Sequence, residues 1–316
     1  MPLPDDPKLV QLGEDFIAQL QSMFGKHPGF RPAHAKGVML TGTFTPTPAA
    51  ATLSTAPHFN NPSTPVTARF SSSTGIPALP DTDANGNPRG LGLRFELGPH
   101  QHTDIIAHST PAFPAKDGAE FLALFRAIAA TGPGAPAPSP VEQHLAAHPW
   151  ALKFVTAPKP SPASFATEAF YALNAFKLVS AGGKETFVRY SILPVAGQAH
   201  LDDAATAAME PNYLYDEVPK RLAETGPFGY KIVAQVAADG DVTDDVTAEW
   251  PPEREVVELG TVMLEKVLEG YEKEQMHIIY DPIPRVQGIE PSADPLLEFR
   301  AAVYLISGRQ RRAAEK

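Results

Sequence analysis

Apolar residues recur along this chain with two different periods. Near the start, Leu9, Leu12, Phe16, Leu20 and Phe24 fall every three or four positions, which places them on one face of a helix over 7–24 that closes at Gly25. The period then drops to two. Val38, Leu40 and Phe44 alternate in GVMLTGTF (37–44), Val66, Ala68 and Phe70 in PVTARFS (65–71), and Leu91, Leu93, Phe95 and Leu97 in GLGLRFEL (90–97). The alternation returns in TFVRYSIL (186–193), in FGYKIVAQVA (228–237) and in QMHIIYD (275–281). Each segment reads as a strand with one buried face, and Asn85-Gly86 reads as a hairpin turn. Helices are predicted over 118–130, 141–156, 163–174 and 294–312, the last opened by the acidic cap and first-turn proline of Asp294-Pro295. The fold class is therefore α+β: an antiparallel β-barrel with surrounding and C-terminal helices. A barrel with appended helices reaches 316 residues, so residues 1–316 are expected to form a single domain with an N-terminal helix and a C-terminal helical segment.

Composition narrows the chemistry. The chain has no cysteine, which excludes disulfides, thiolate-ligated or covalently attached haem, iron–sulfur clusters and cysteine-based zinc sites. Its net charge is −10 and its longest basic run is the short tail Arg309-Gln310-Arg311-Arg312, so nucleic acid is not an expected partner. No 18-residue apolar run occurs, and Met1-Pro-Leu-Pro-Asp-Asp is neither basic nor apolar, so no membrane is expected and a cytoplasmic location is. Prolines and glycines gather in loops, of which TGPGAPAPSP (131–140) is read as a long surface loop.

Arg300 and Tyr304 stand four apart in the last predicted helix and so share a face, where a guanidinium lying against a phenol oxygen favours its anionic form. A phenolate is one of the side chains that hold haem iron. In PVTARFS, Arg69 and Ser71 point opposite to Val66, Ala68 and Phe70. One face thus carries a cation suited to an anionic group and a hydroxyl suited to a ring nitrogen, with His34 a short way upstream. His100 and His102 in GPHQHTD form a His-x-His pair that lacks a third ligand and reads as a loop. The acidic run Asp239 to Asp245 lacks the closing glutamate of a calcium loop and reads as a solvated hairpin turn.

Together, Arg31-x-x-His34-Ala35-Lys36-Gly37, Arg69-Phe70-Ser71, Arg89-Gly90 at the start of a strand and Arg300-x-x-x-Tyr304 resemble the haem catalase superfamily. The tracts YLYDEVPKRL, AQVAADGDVTDDVTAEWPPER and ELGTVMLEKV between them are similar to it as well. The short length and the tail from Asp281 to Arg312 resemble its minimal subgroup, the catalase-related peroxidases. The resemblance implies haem b bound non-covalently, with Tyr304 as the iron ligand and Arg300 as its partner. It makes His34 the distal acid–base, Ser71 its support, Arg31, Arg69 and Arg311 the propionate-binding arginines, and Phe121 a phenylalanine over the porphyrin. Ser109, before Thr110-Pro111, stands where the family carries a distal asparagine that helps orient peroxide. This departure favours a peroxidase, which passes through a ferryl intermediate and takes single electrons from a small organic donor, over an efficient catalase. A slow catalase, a fatty-acid hydroperoxide isomerase or dehydratase, and a haem carrier without turnover are the alternatives. A homodimer is compatible with the resemblance.

Overall fold

The computed structural model describes residues 2–314. Its frame is a closed antiparallel barrel of β1 (Gly37–Pro46), β2 (Thr64–Ser71), β3 (Gly90–Gly98), β4 (Gln101–His108), β5 (Phe170–Val179), β6 (Glu185–Pro194), β7 (Phe228–Val236) and β8 (Val256–Val267). Neighbours run β5-β4-β3-β2-β1-β8-β7-β6, and β6 pairs back with β5 to close the wall. A short β9 (Ile289–Pro291) lies along the far end of β5. Closure leaves no free edge among these eight strands, which is how such a sheet avoids pairing with other chains.

The alternation seen in the sequence becomes an inside and an outside. Val38, Phe70, Leu91 and Ala107 form one inward cross-strand row, all buried in the main core with Phe44, Phe95, Phe165, Phe170 and Tyr230. The residues one step away form the outward row Gly37, Ser71, Gly90, His108. Outside the barrel, α1 (Pro7–Phe24), α2 (Gly118–Ala129) and the long α7 (Pro295–Ala313) pack through Phe16, Ile17, Leu20, Leu122, Phe299 and Ile306. The remaining helices are α3 (Pro140–Ala147), α4 (Pro149–Thr156), α5 (Tyr213–Glu224) and α6 (Tyr271–His277), with shorter turns at Pro48–Leu53, Pro57–Asn60 and Asp203–Ala207. No helix among the described residues is long and apolar enough to cross a membrane.

Several expected elements differ. The helix expected over 163–174 is a 3-10 turn at Phe165–Thr167 followed by β5. An irregularity between Ala172 and Phe176 shifts the register there and breaks the period of two that would have marked a strand. The strand expected over 275–281 is the end of α6 followed by irregular chain. Its Ile278 and Tyr280 are buried against Met39 on the outside of the barrel, where no strand edge is open to them. The helix expected over 141–156 is cut in two at Pro149, which holds His148 in a non-helical conformation (φ −128°, ψ 85°). Asn85-Gly86 is not a hairpin but a 3-10 turn capped by Asp83, inside the loop joining β2 and β3. His100 sits in the β3–β4 turn with a left-handed backbone (φ 61°) while His102 belongs to β4, a strand the sequence reading missed. The Asp239 to Asp245 run lies in the β7–β8 connection, where Asp241 accepts from Arg254 at 2.8 Å.

Candidate active site

The outward row of the barrel wall sets the first half of the site. His34 precedes β1 and adopts a left-handed backbone (φ 58°), a conformation that costs energy for a residue with a Cβ and marks a locally over-determined loop. The loop is pinned by His34 N–H donating to Ser73 O at 3.1 Å and Ala35 N–H donating to Thr74 O at 2.9 Å. Lys36 anchors it from below through a 2.7 Å ion pair with the buried Asp81. His34 Nδ1 and Ser71 Oγ share a hydrogen bond of 3.1 Å. A Cβ on Gly90 would stand 2.6 Å from Ser71 Oγ and 2.8 Å from His34 Nδ1, so only glycine leaves room for this pair. Likewise a Cβ on Gly37 would stand 2.3 Å from the Arg69 guanidinium. Burial, then the charges of Arg69 and Arg31, push the His34 imidazole down to about 4 from its ordinary 6.5, so the ring is neutral at pH 7.

The second half comes from α7. Arg300 donates to the Tyr304 hydroxyl from Nε at 3.3 Å and Nη2 at 3.2 Å. It also donates to Asn174 Oδ1, while Asn174 Nδ2 donates to Asp294 Oδ2 at 2.8 Å. Asp294 is the N-cap of α7, accepting from Leu296 N–H at 2.9 Å. The helix start thus fixes the guanidinium that fixes the phenol. Asn174, on β5, was missed because its segment was read as helix.

Three more arginines meet between the halves. Arg31 donates to the carbonyls of Gln275 and Ile278 at 2.8 and 3.1 Å, and Arg311 to Ile278 O at 2.8 Å and Ser307 Oγ at 2.8 Å. Arg69 donates to His34 O at 3.0 Å and to Gln275 Oε1 at 3.2 Å. Among the described residues no carboxylate forms an ion pair with any of the three. Burial, followed by the charges of neighbouring arginines, holds Arg31 well below its ordinary value and Arg311 down to about 9. Three mutually repelling cations, Arg69 and Arg311 buried and Arg31 half-buried, with no counter-ion among the described residues make a site for an anion.

Comparison with known proteins decides what this constellation belongs to. A family model described as catalase matches residues 16–315. The chain belongs to the catalase family. It is 33% identical to a catalase-related peroxidase of Mycolicibacterium paratuberculosis, over 95% of each chain. It is 32% identical to a catalase-related peroxidase of Synechococcus elongatus, over 94% of this chain and 88% of that one. Its fold matches a fungal catalase (TM-score 0.79, 20% identity, 92% of this chain and 61% of that one). It also matches catalase A from Saccharomyces cerevisiae (TM-score 0.75, 18% identity, 93% and 64%), so it spans about three-fifths of the length of these two structures.

Catalase-family membership implies haem, and this chain's residues fit that group. Tyr304 offers an oxygen already held by a cation, and Arg31, Arg69 and Arg311 offer uncompensated charge to carboxylates. Two further expected residues lie on the same side of the barrel wall as His108 or next to it in sequence. Phe121 stacks on Phe16 (4.9 Å between centroids) and lies tilted against Phe113 (5.0 Å), which in turn meets His108 (6.1 Å). Ser109 Oγ accepts from the backbone N–H of Arg89 at 2.9 Å, and Ser109 N–H returns a bond to Arg89 O at 2.8 Å. Its hydroxyl is thus engaged in starting β3, while the ring beside it, His108, stands in the outward row with Gly90. The period of two running back from Ala107 would have shown this.

Proposed function

We propose that this catalase-family protein is a peroxidase carrying haem b. It reduces hydrogen peroxide or an organic hydroperoxide to water or alcohol plus water, using two electrons drawn singly from two molecules of a small organic donor, and two protons. The observation that carries the reading is that an arginine-held phenol on α7 and a serine-held neutral histidine on the barrel wall act on one another's surroundings. His34 lies within electrostatic range of Arg300, and Arg31 within range of Tyr304. The relatives named catalase-related peroxidases support the choice of donor oxidation. The lack of cysteine supports a haem held without thioether bonds.

Haem, when bound, supplies the redox chemistry that splits the peroxide bond. The chain's own residues do the rest. In the tautomer in which Ser71 accepts the Nδ1 proton of His34, the Nε2 lone pair is free to act as base. Neutral His34 takes a proton from one peroxide oxygen and returns it to the other, which departs as water or alcohol. Tyr304 would hold the iron through its phenol oxygen, and Arg300 keeps that oxygen in place with two charge-assisted bonds. Arg31, Arg69 and Arg311 would take the propionates, and the buried ring of Tyr280 closes over Gly92 beside them, where a Cβ would stand 3.0 Å from the phenol carbon.

The test uses the haem-loaded protein. Its visible spectrum, the rate of hydrogen-peroxide-dependent dye oxidation and oxygen release at an electrode are measured together. A haem spectrum with dye oxidation well above oxygen release is expected. Oxygen release at the rate of an efficient catalase, or haem binding without peroxide turnover, overturns the reading.

A further inference from the structure

His108 ends β4 on the outward face of the wall, directly paired with Gly90. Paired residues project to the same face with Cβ positions about 5 Å apart. His34 leans over Gly90 into the space a Cβ would need, so it lies over the same outward row as His108 and within electrostatic range of it. On its other flank His108 meets Phe113 at 6.1 Å between centroids. Nδ1 of His108 is buried with no hydrogen-bond partner, while Nε2 lies on the accessible side of a half-buried ring. An N–H buried without an acceptor is the costlier orphan, so the proton sits on Nε2.

An unpaired histidine is not by itself a site. His58 also has a buried, unpaired Nδ1, but Phe44, Phe59 and Phe95 surround it at 6.2, 4.1 and 4.5 Å, and burial alone lowers its affinity for a proton. His108 has different neighbours. Burial comes first there too, but His34 in its protonated form and the charge of Arg300 then add to it and hold the ring down to about 3. The two histidines beside Gly90 are therefore complementary: with Ser71 accepting its Nδ1 proton, His34 presents a lone pair, and His108 presents an N–H. The adjacent Ser109 hydroxyl already serves Arg89.

We propose that His108 binds peroxide: its Nε2–H donates to the oxygen that receives the proton from His34, and so aligns the peroxide for that transfer. This rests on the peroxidase reading. His108 keeps its own proton throughout. The proton leaves the first oxygen for His34 and goes to the second, the peroxide bond breaks, and the two electrons come from two molecules of the organic donor, with the two protons from water.

The test compares wild type, His108→Phe and His108→Gln, all loaded with haem. Fluoride affinity is read from the visible spectrum, and the rate of reaction with hydrogen peroxide is read by stopped flow. Loss of one donor to an anion should weaken fluoride binding in His108→Phe by about tenfold, with a similar loss in the peroxide rate. His108→Gln, which keeps an N–H, should recover most of both. Should His108→Phe fail to fold, His108→Ala is read the same way. Wild-type fluoride affinity and peroxide rate in the variant without a donor overturn the proposal. A wild type that binds fluoride but does not turn over peroxide sinks the peroxidase reading, and the fluoride measurement still decides His108. A wild type that takes up no haem overturns both.

Discussion

The inside and the outside of the same barrel wall follow opposite rules. Inward, Phe70 packs between Phe165 at 4.8 Å and Phe170 at 5.8 Å, and Phe95 lies between Phe44 at 5.1 Å and His58 at 4.5 Å. One residue along the same strands, Arg69, Ser71 and His108 face outward into a space shared with Arg300, Arg31 and Arg311. The interior is filled by its own side chains, so the barrel keeps no ligand there. Among the described residues the exterior is left with cations lacking counter-ions and an imidazole whose Nδ1 lacks a partner, which is costly unless something else supplies them. Stability is thus concentrated on one face and chemistry on the other, separated by a single step of strand alternation.

Substitutions on the two faces should separate those properties. Phe95→Ala removes a fully buried ring and is expected to cost about 3–5 kcal/mol of unfolding free energy, read from urea midpoints, while the folded fraction keeps its haem spectrum. Retained stability with lost haem would mean that the interior shapes the site directly. Tyr304→Phe is the converse. It removes the oxygen that Arg300 holds, so haem should be lost on gel filtration while the apoprotein melts as the wild-type apoprotein does. A fully loaded variant with an unchanged spectrum rejects Tyr304 as ligand. His34→Ala removes no iron bond, so haem should stay and the reaction with peroxide should slow by roughly 10²-fold in stopped flow. Reaction at the wild-type rate would make His34 structural.

What could be read in the sequence follows the same division. The helix over 7–24 and the strands at 37–44, 65–71 and 90–97 were legible because each keeps one period over its whole length. β5 was not, because the irregularity between Ala172 and Phe176 breaks that period, and Asn174 was lost with it. The pairing of Arg300 with Tyr304 was visible because both lie on one helix. The role of Gly90 was not: a glycine shows its purpose only when the atoms that fill its missing Cβ are known, and here they come from His34 and Ser71, far off in sequence. Ser109 drew attention by its place before Thr110-Pro111, when the outward residue of that pair of positions is His108.

Acid should act on both faces, and His58 isolates the interior part. Its pKa lies near 3 in the fold against 6.5 for an ordinary histidine, because burial disfavours the charged ring. Below pH 6.5 the unfolded chain therefore binds a proton that the folded chain refuses. Stability falls as pH drops through that window and levels off below about 3. Between pH 6.5 and 5 this amounts to about 2 kcal/mol for His58. His34 and His108, lowered to about 4 and about 3, act in the same direction. Urea unfolding of the apoprotein at the two pH values, with and without His58→Phe, measures the difference. A wild-type midpoint that does not move with pH shows that His58 is charged or exposed.

The smallest effect tests the division at its narrowest point, between Ser109 and His108. Ser109 Oγ serves the Arg89 N–H at 2.9 Å, and Arg89 is itself fully buried, donating to Asn87 Oδ1 at 2.9 Å, Ser72 Oγ at 2.8 Å and Asp81 O at 2.7 Å. Ser109→Ala removes that acceptor but leaves the return bond from Ser109 N–H to Arg89 O, a backbone contact any residue can make. The cost should be about 1 kcal/mol of stability, typical of one lost hydrogen bond. The ratio of oxygen release to dye oxidation should stay where the wild type has it, because the hydroxyl does not serve the peroxide. Ser109→Asn places a longer amide at the same start of β3 and should likewise leave the ratio unmoved, whereas with Ser109 standing at the family's peroxide-orienting asparagine position it would raise oxygen release. His108→Phe, one residue away on the other face, is the variant in which the ratio should shift. A severalfold rise in oxygen release in Ser109→Asn at unchanged stability would return the peroxide-orienting position to Ser109 and place the boundary between structure and chemistry one residue later in the chain.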